Sequence, residues 1–194
     1  MSYVLNLITD RTPVDSQRVV ELRNKGYDNM TQAERNEWNG EMKGRYDNTD
    51  FNRVEAAVAY LAEMLQQLPA ELMNYAAQRG VAWDVFFEYP YNPTDYANIE
   101  TKTTWTREEW LDAENRTRYL DNVHLLRESM EYATNELPET MENFTVSDAN
   151  AIERALVGLD EALRVFDSEK RVFIDNALAA WFYSADVYAG EVTG

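Results

Sequence analysis

From Asp148 to about Tyr183 apolar residues recur at alternating steps of four and three: Ile152, Leu156, Leu159, Leu163, Phe166, Phe173, Ala177 and Ala180. That spacing places all of them on one stripe of an α-helix, because a turn takes about 3.6 residues. Lys170 is the single interruption. A helix this long with one apolar stripe must bury the stripe against other helices, so the pattern points to a helical bundle. The seam resembles that of a coiled coil and can close within one chain or between copies. Ser147 is placed to cap the helix, after a linker running from Pro138 through an acidic segment to Asn143.

A second long pattern lies between Asn29 and Leu68. Thr31 and Glu34 have capping-box spacing, and Gly40 and Gly44 are candidate stops for the short helix that follows. Thr49 or Asp50 can then cap a long helix with Phe51, Val54, Val58, Leu61 and Leu65 on one face. Pro69 should break or kink it, because proline lacks the amide donor and disfavours a helical residue before it. A further piece, from Ala70 to Arg79, ends at Gly80. Upstream, residues 3–9 look extended, and Thr12, Pro13 and Asp15 open a helix carrying Val19 and Leu22 that stops at Gly26.

Residues 81–105 lose the helical period and crowd Trp83, Phe86, Phe87, Tyr89, Tyr91, Tyr96 and Trp105 around Pro90 and Pro93. They read as a short β-hairpin or an ordered aromatic loop. Thr106 and Glu109 repeat the capping-box spacing, predicting a helix from Arg107 to about Asn135. The expected fold is mostly α, a helical bundle with two long C-terminal helices. Its parts are a helical module at 1–80, the aromatic excursion at 81–105, and a helical hairpin with an apolar tail at 106–194.

The chain has 194 residues, enough for one domain with an appended arm, and at 45% hydrophobic it can bury a core. Thirty-five acidic residues against 18 basic leave a net charge of −17. That balance repels nucleic acid and anionic membranes, and no basic run reverses it. The absence of cysteine excludes disulfides, thiolate zinc sites, iron–sulfur clusters and cysteine nucleophiles. With no signal-like or membrane-spanning stretch, the expected setting is soluble, made in the bacterial cytoplasm. Three Asn-x-Thr triplets, at Asn29, Asn115 and Asn143, are then coincidental.

The residues themselves mark no chemistry. His124 is the single histidine and has no serine or cysteine evidently set up beside it, so a structural role is expected. Carboxylate pairs abound, but none is marked as a catalytic couple, and Glu108 and Glu109 suit a helix N-terminus. Asp47, Asn48 and Asp50 sit in a turn without the spacing of a calcium loop, which leaves capping as their use. No cofactor or metal is implied. The candidate partner surface comprises Tyr89, Tyr91 and Tyr96 in the aromatic stretch and Trp181, Phe182, Tyr183 and Tyr188 in the tail. Tyrosines and tryptophans can stack on sugar rings or anchor a protein, or simply plug the end of the bundle.

The string MTQAERNEWNGEMKGRYDNTDFNRVEAAVAYLAEML (residues 30–65) resembles an N-terminal module of bacteriophage and prophage proteins of gut Firmicutes, in tail or baseplate gene regions. SDANAIERALVGLDEAL and AAWFYSADVYAGE are similar to the end of the same proteins, and VLNLITDRTPVDSQRVVEL to their start. The resemblance implies a non-enzymatic virion structural protein of the distal tail, working through contacts with other tail proteins and with itself. It supplies no catalytic residues. A carbohydrate- or receptor-binding tail module using the 81–105 aromatics is the alternative.

Overall fold

The computed structural model describes residues 3–81, 89–109, 112–129 and 136–191, without the side chains of residues 3, 5 and 178–191. Five α-helices carry the described fold: α1 Pro13–Lys25, α2 Gln32–Asn39, α3 Asn48–Gln78, α4 Ala113–Glu128 and α5 Val146–Glu191. Short 3-10 turns occur at Tyr3–Asn6, Tyr27–Asn29 and Pro93–Tyr96. The first replaces the extended start expected for residues 3–9.

Most helix starts follow capping chemistry. Thr12 with Asp15 and Thr31 with Glu34 form reciprocal boxes on α1 and α2. For α3 the cap is Asp47, one turn ahead of Asp50, which answers from the third position; Thr49 and Asp50, expected as caps, are already helical. In α5 Thr145 takes the place expected of Ser147, exchanging bonds with Asp148. α4 starts at Ala113 rather than Arg107. Glu109 does accept from the Thr106 amide, at 2.7 Å, but residues 107–108 form a turn, and Asp112 caps the helix instead.

Two expectations about breaks are corrected. Pro69 lies inside α3, which continues to Gln78. The missing amide removes one ladder bond, yet Leu68, Leu72 and Ala76 remain buried in the same stripe as Leu61 and Leu65. Burial on both sides of the proline outweighs the local loss. In α5 the stripe is followed through Ile152, Leu156, Leu159 and Leu163, but Phe173 is 45% exposed and Ile174 is fully buried in its place. Phe166 packs partly buried against the core between Leu163 and Ile174, and Ile174 lies eleven residues after Leu163, a step that a straight helix keeps in phase better than a heptad. Lys170, which interrupts the stripe, is half-buried, its ammonium 5.0 Å from the Phe166 ring centroid.

The three longer helices run parallel. Near their starts, Arg11 joins Asp50 of α3 to Glu153 of α5, and Arg118 of α4 pairs with Glu55 of α3. Farther along, Arg79 and Tyr75 of α3 reach Asp175 of α5. Parallel helices need return paths. The first is the aromatic stretch. Its Tyr89 lies near Pro69, Tyr96 near Gln66, Lys102 near Glu55 and Trp105 near Asn52 and Asn48, so it runs back along α3. The second passes from Pro138, bonded to His124, to Phe144 beside Tyr46.

No strand occurs among the described residues, so the hairpin is not formed there. The strap's backbone is satisfied by side chains instead. Asn52 both donates to the Trp105 carbonyl at 3.0 Å and accepts from its amide at 2.6 Å. Glu55 accepts from the Lys102 amide at 2.8 Å, and Gln66 donates to the Tyr96 carbonyl at 3.1 Å. A strand-like composition thus found helix side chains rather than a second strand as partners.

One core cluster unites α3, α4 and α5 with the strap: Leu61, Leu65, Leu72, Leu126, Ile152, Leu156, Leu159, Leu163 and Ile174 are essentially inaccessible. Each contributes roughly 1.5–3 kcal/mol by leaving water. From Ile152 to Ile174 the long-helix seam therefore closes within the chain. A separate small cluster, Val19, Leu22, Met30 and Met42, with Trp38 packed against it, holds α1 to α2.

Candidate functional site

At the end where α3, α4 and α5 begin, charged groups are buried beneath an aromatic cleft. Arg11, with 1% of its side chain exposed, donates to Asp50 at 2.6 Å and Glu153 at 2.7 Å, and also to the Ile8 carbonyl. Arg53 completes the cluster through Asp50 and, at 3.5 Å, Glu153; the Ile8 amide donates to the other Glu153 oxygen. Two cations thus face two anions. Burial pushes the Glu153 carboxyl above its usual range, against the pull of Arg11 and Arg53. A second pair follows the same rule: Glu55 accepts a fork from Arg118 at 2.7 and 2.9 Å and, at 3.3 Å, the Trp105 indole. With charges balanced and oxygens engaged, both groups tie segments together. Asn150 adds a reciprocal clamp on the Arg11 backbone, at 3.0 and 2.8 Å.

Above them opens a cleft of about 650 Å³. Its walls are aromatic and sulfur-bearing: Trp38, Tyr46, Phe51, Trp105, Met141 and Phe144. Phe51 is the hinge of the stack, with Tyr46 at 5.2 Å and Tyr119 at 5.6 Å edge-on, and Trp105 tilted at 6.1 Å. The Tyr46 and Tyr119 hydroxyls lie 2.5 Å apart, and burial raises both phenols above their ordinary range.

Five charged residues line the cleft: Arg45, Asp47, Arg107, Glu109 and Arg116. Arg45 is spent on Asp47 and on the carbonyls of Trp38 and Gly40. Glu109 is paired with Lys102, which lowers its pKa, and the Thr106 amide lowers it further. Arg107 is exposed and Arg116 half-buried, and neither side chain makes a hydrogen bond or ion pair among the described residues. Asp112 feels the Arg116 charge only as a minor influence, its carboxylate being held mainly by the Asn115 amide. The cleft therefore offers an aromatic floor with two uncommitted guanidinium groups in a strongly acidic protein.

The residues singled out from sequence lie elsewhere. Tyr91 and Tyr96 are 8% and 4% exposed and belong to the main core. Tyr89 and Tyr91 rings lie 5.7 Å apart, Tyr91 and Tyr96 rings 5.9 Å, and Tyr89 meets Phe166 at 6.0 Å. They plug the strap onto α3 and α5, and Tyr91 and Tyr96 are not presented to a sugar or a partner. The physical reason is the route of the strap, which turns these rings toward the helices it crosses. Trp105 is buried as well, at 4% exposure. Trp83, Phe86 and Phe87 lie outside the described residues. The backbone of residues 181–188 continues α5, but the side chains of Trp181, Phe182, Tyr183 and Tyr188 lie outside the description.

Sequence reasoning missed the cleft because its walls come from four separate segments. No local signal marked it, since Arg107 precedes Glu108 and Glu109 and Arg116 follows Asp112 by four residues, the spacing of ordinary helical pairing. His124 contacts the Pro138 carbonyl at 3.1 Å, and Asp47 and Asp50 act as caps and ion-pair partners. No cluster of metal-ligating side chains occurs among the described residues. Nor is any described helix long and apolar enough to cross a membrane. No protein-family model, curated protein or solved structure matches the chain.

Proposed function

We propose that the protein is a non-catalytic assembly component that works through protein–protein contacts, in a phage or prophage tail or baseplate as the resemblance implies. The observation that carries the contact-making role is α5. From Asp175, where the end of α3 reaches it, the helix continues to Glu191, about 24 Å farther at 1.5 Å per residue. Its outer face is also partly apolar. Val165 and Val172 are 50% and 56% exposed, seven residues apart and opposite the buried stripe. A helix with apolar residues on two faces is suited to lie between two neighbours.

Mass spectrometry of density-purified particles, induced from the bacterium that encodes the chain, tests the proposal. Recovery at stoichiometric abundance with tube, sheath or fibre proteins supports a virion component. Absence from well-recovered particles removes the structural role.

A further inference from the structure

We infer that the aromatic cleft receives the C-terminal aromatic segment of a second copy, Trp181 to Glu191, so that copies join head to tail. The inference rests on the assembly reading above and names the site and the occupant. Three observations converge on it. The cleft holds about 650 Å³, within the roughly 300–1,000 Å³ of pockets that bury a compact ligand. The Arg107 and Arg116 side chains that line it make no hydrogen bond or ion pair among the described residues, so an incoming carboxylate meets guanidinium groups not held by a direct partner. The third observation is chemical. After Arg171 the chain has no basic residue, and the segment offers Trp181, Phe182, Tyr183 and Tyr188 together with Asp186 and Glu191. Aromatic rings match the walls and carboxylates match the arginines.

The fold excludes docking within one molecule. The cleft is lined by Asp47 and Asn48 at the start of α3, by Arg116 near the start of α4, and by Phe144 just before α5. Trp181 lies roughly 50 Å along α5 from that end, and a continuous helix cannot fold back on its own start. The donor must be another copy. Cleft and segment are different surfaces at opposite ends, so the contact is heterologous and propagates into a ring or a filament.

Complementation between full-length variants tests this directly, with mass measured by light scattering. Arg107→Glu with Arg116→Glu disables the cleft and leaves the tail; Asp186→Lys with Glu191→Lys reverses the tail and leaves the cleft. Neither arginine side chain makes a hydrogen bond or ion pair among the described residues, and unchanged helical circular dichroism with a cooperative melt verifies folding. Each variant alone should self-associate on the order of tenfold more weakly than wild type, and the four substitutions combined in one chain should restore association. A synthetic peptide of residues 178–191 should bind wild type and lose affinity by on the order of tenfold for the arginine variant. Wild-type chains that assemble while both variants assemble equally well would overturn the docking site and leave the assembly role intact. A wild-type chain that neither self-associates nor binds the peptide overturns the inference too, while particle mass spectrometry still decides the broader role.

Discussion

Replacing Arg11 with methionine keeps much of its volume and removes the cation that spans α3 and α5. Asp50 and Glu153 are then left with Arg53, which reaches Glu153 only at 3.5 Å. Both carboxylates are nearly inaccessible, with side-chain exposures of 5% and 0%. Breaking a buried ion cluster by removing one partner costs about 3–5 kcal/mol, mostly from the charge left behind. Arg11→Met should fall in that range by urea unfolding followed at 222 nm. The effect of a second substitution is more telling. Glu153→Gln should restore stability in the Arg11→Met background, where it removes an uncompensated charge, and should gain much less in wild type, where Arg11 and Arg53 engage that carboxylate. The coupling should be at least about 2 kcal/mol. pH provides a separate check. Burial already raises the Glu153 pKa, and losing Arg11 raises it further. A carboxyl with a folded pKa above its unfolded value of about 4.5 loses stability as pH rises through that interval. The Arg11→Met penalty should therefore shrink as pH is lowered from 8 toward 5. A penalty below about 1 kcal/mol, or equal effects of Glu153→Gln in both backgrounds, would refute the cluster's role as a tie between the two helices.

Pro69→Ala should stabilise α3 by about 1–3 kcal/mol, raising the melting temperature, because it restores a ladder amide inside a continuous helix. No change would mean that the helix is already relaxed around the proline. Gly44→Ala should cost at least about 1–3 kcal/mol, since an added Cβ would sit 2.1 Å from the Asp15 backbone and push the turn off α1; a neutral result by thermal melt contradicts that close approach. The Glu34 pKa is pushed down to about 2 by Lys25 and by the Thr31 cap. Its contribution is present above about pH 4.5 and lost as pH falls toward about 2. Glu34→Gln should accordingly flatten the acid limb of a pH–stability curve.

Much of the helical skeleton was legible because its causes are local. Thr12 with Asp15 and Thr31 with Glu34 cap within four residues of themselves, and the stripes of α3 and α5 record the helical period directly. Thr106 and Glu109 show where local reading stops: the Thr106 amide donates to the Glu109 carboxylate as a capping box requires, yet the segment is a turn, with Lys102 holding Glu109 from the strap. Pro69 shows the opposite, a local breaker overruled by core burial on both sides.

What the sequence determined by itself was that this acidic, cysteine-free chain would be a helical bundle built on two long stripes, because periodicity and capping need only near neighbours. Tertiary structure alone decided that α3, α4 and α5 run parallel and that the aromatic stretch returns along α3 as a strap. It also buried Tyr91 and Tyr96 while leaving a cleft between Trp38, Phe51, Trp105 and Phe144. Those outcomes depend on partners as distant in sequence as Arg11 and Glu153, whose attraction exists only once the chain has brought them 2.7 Å apart.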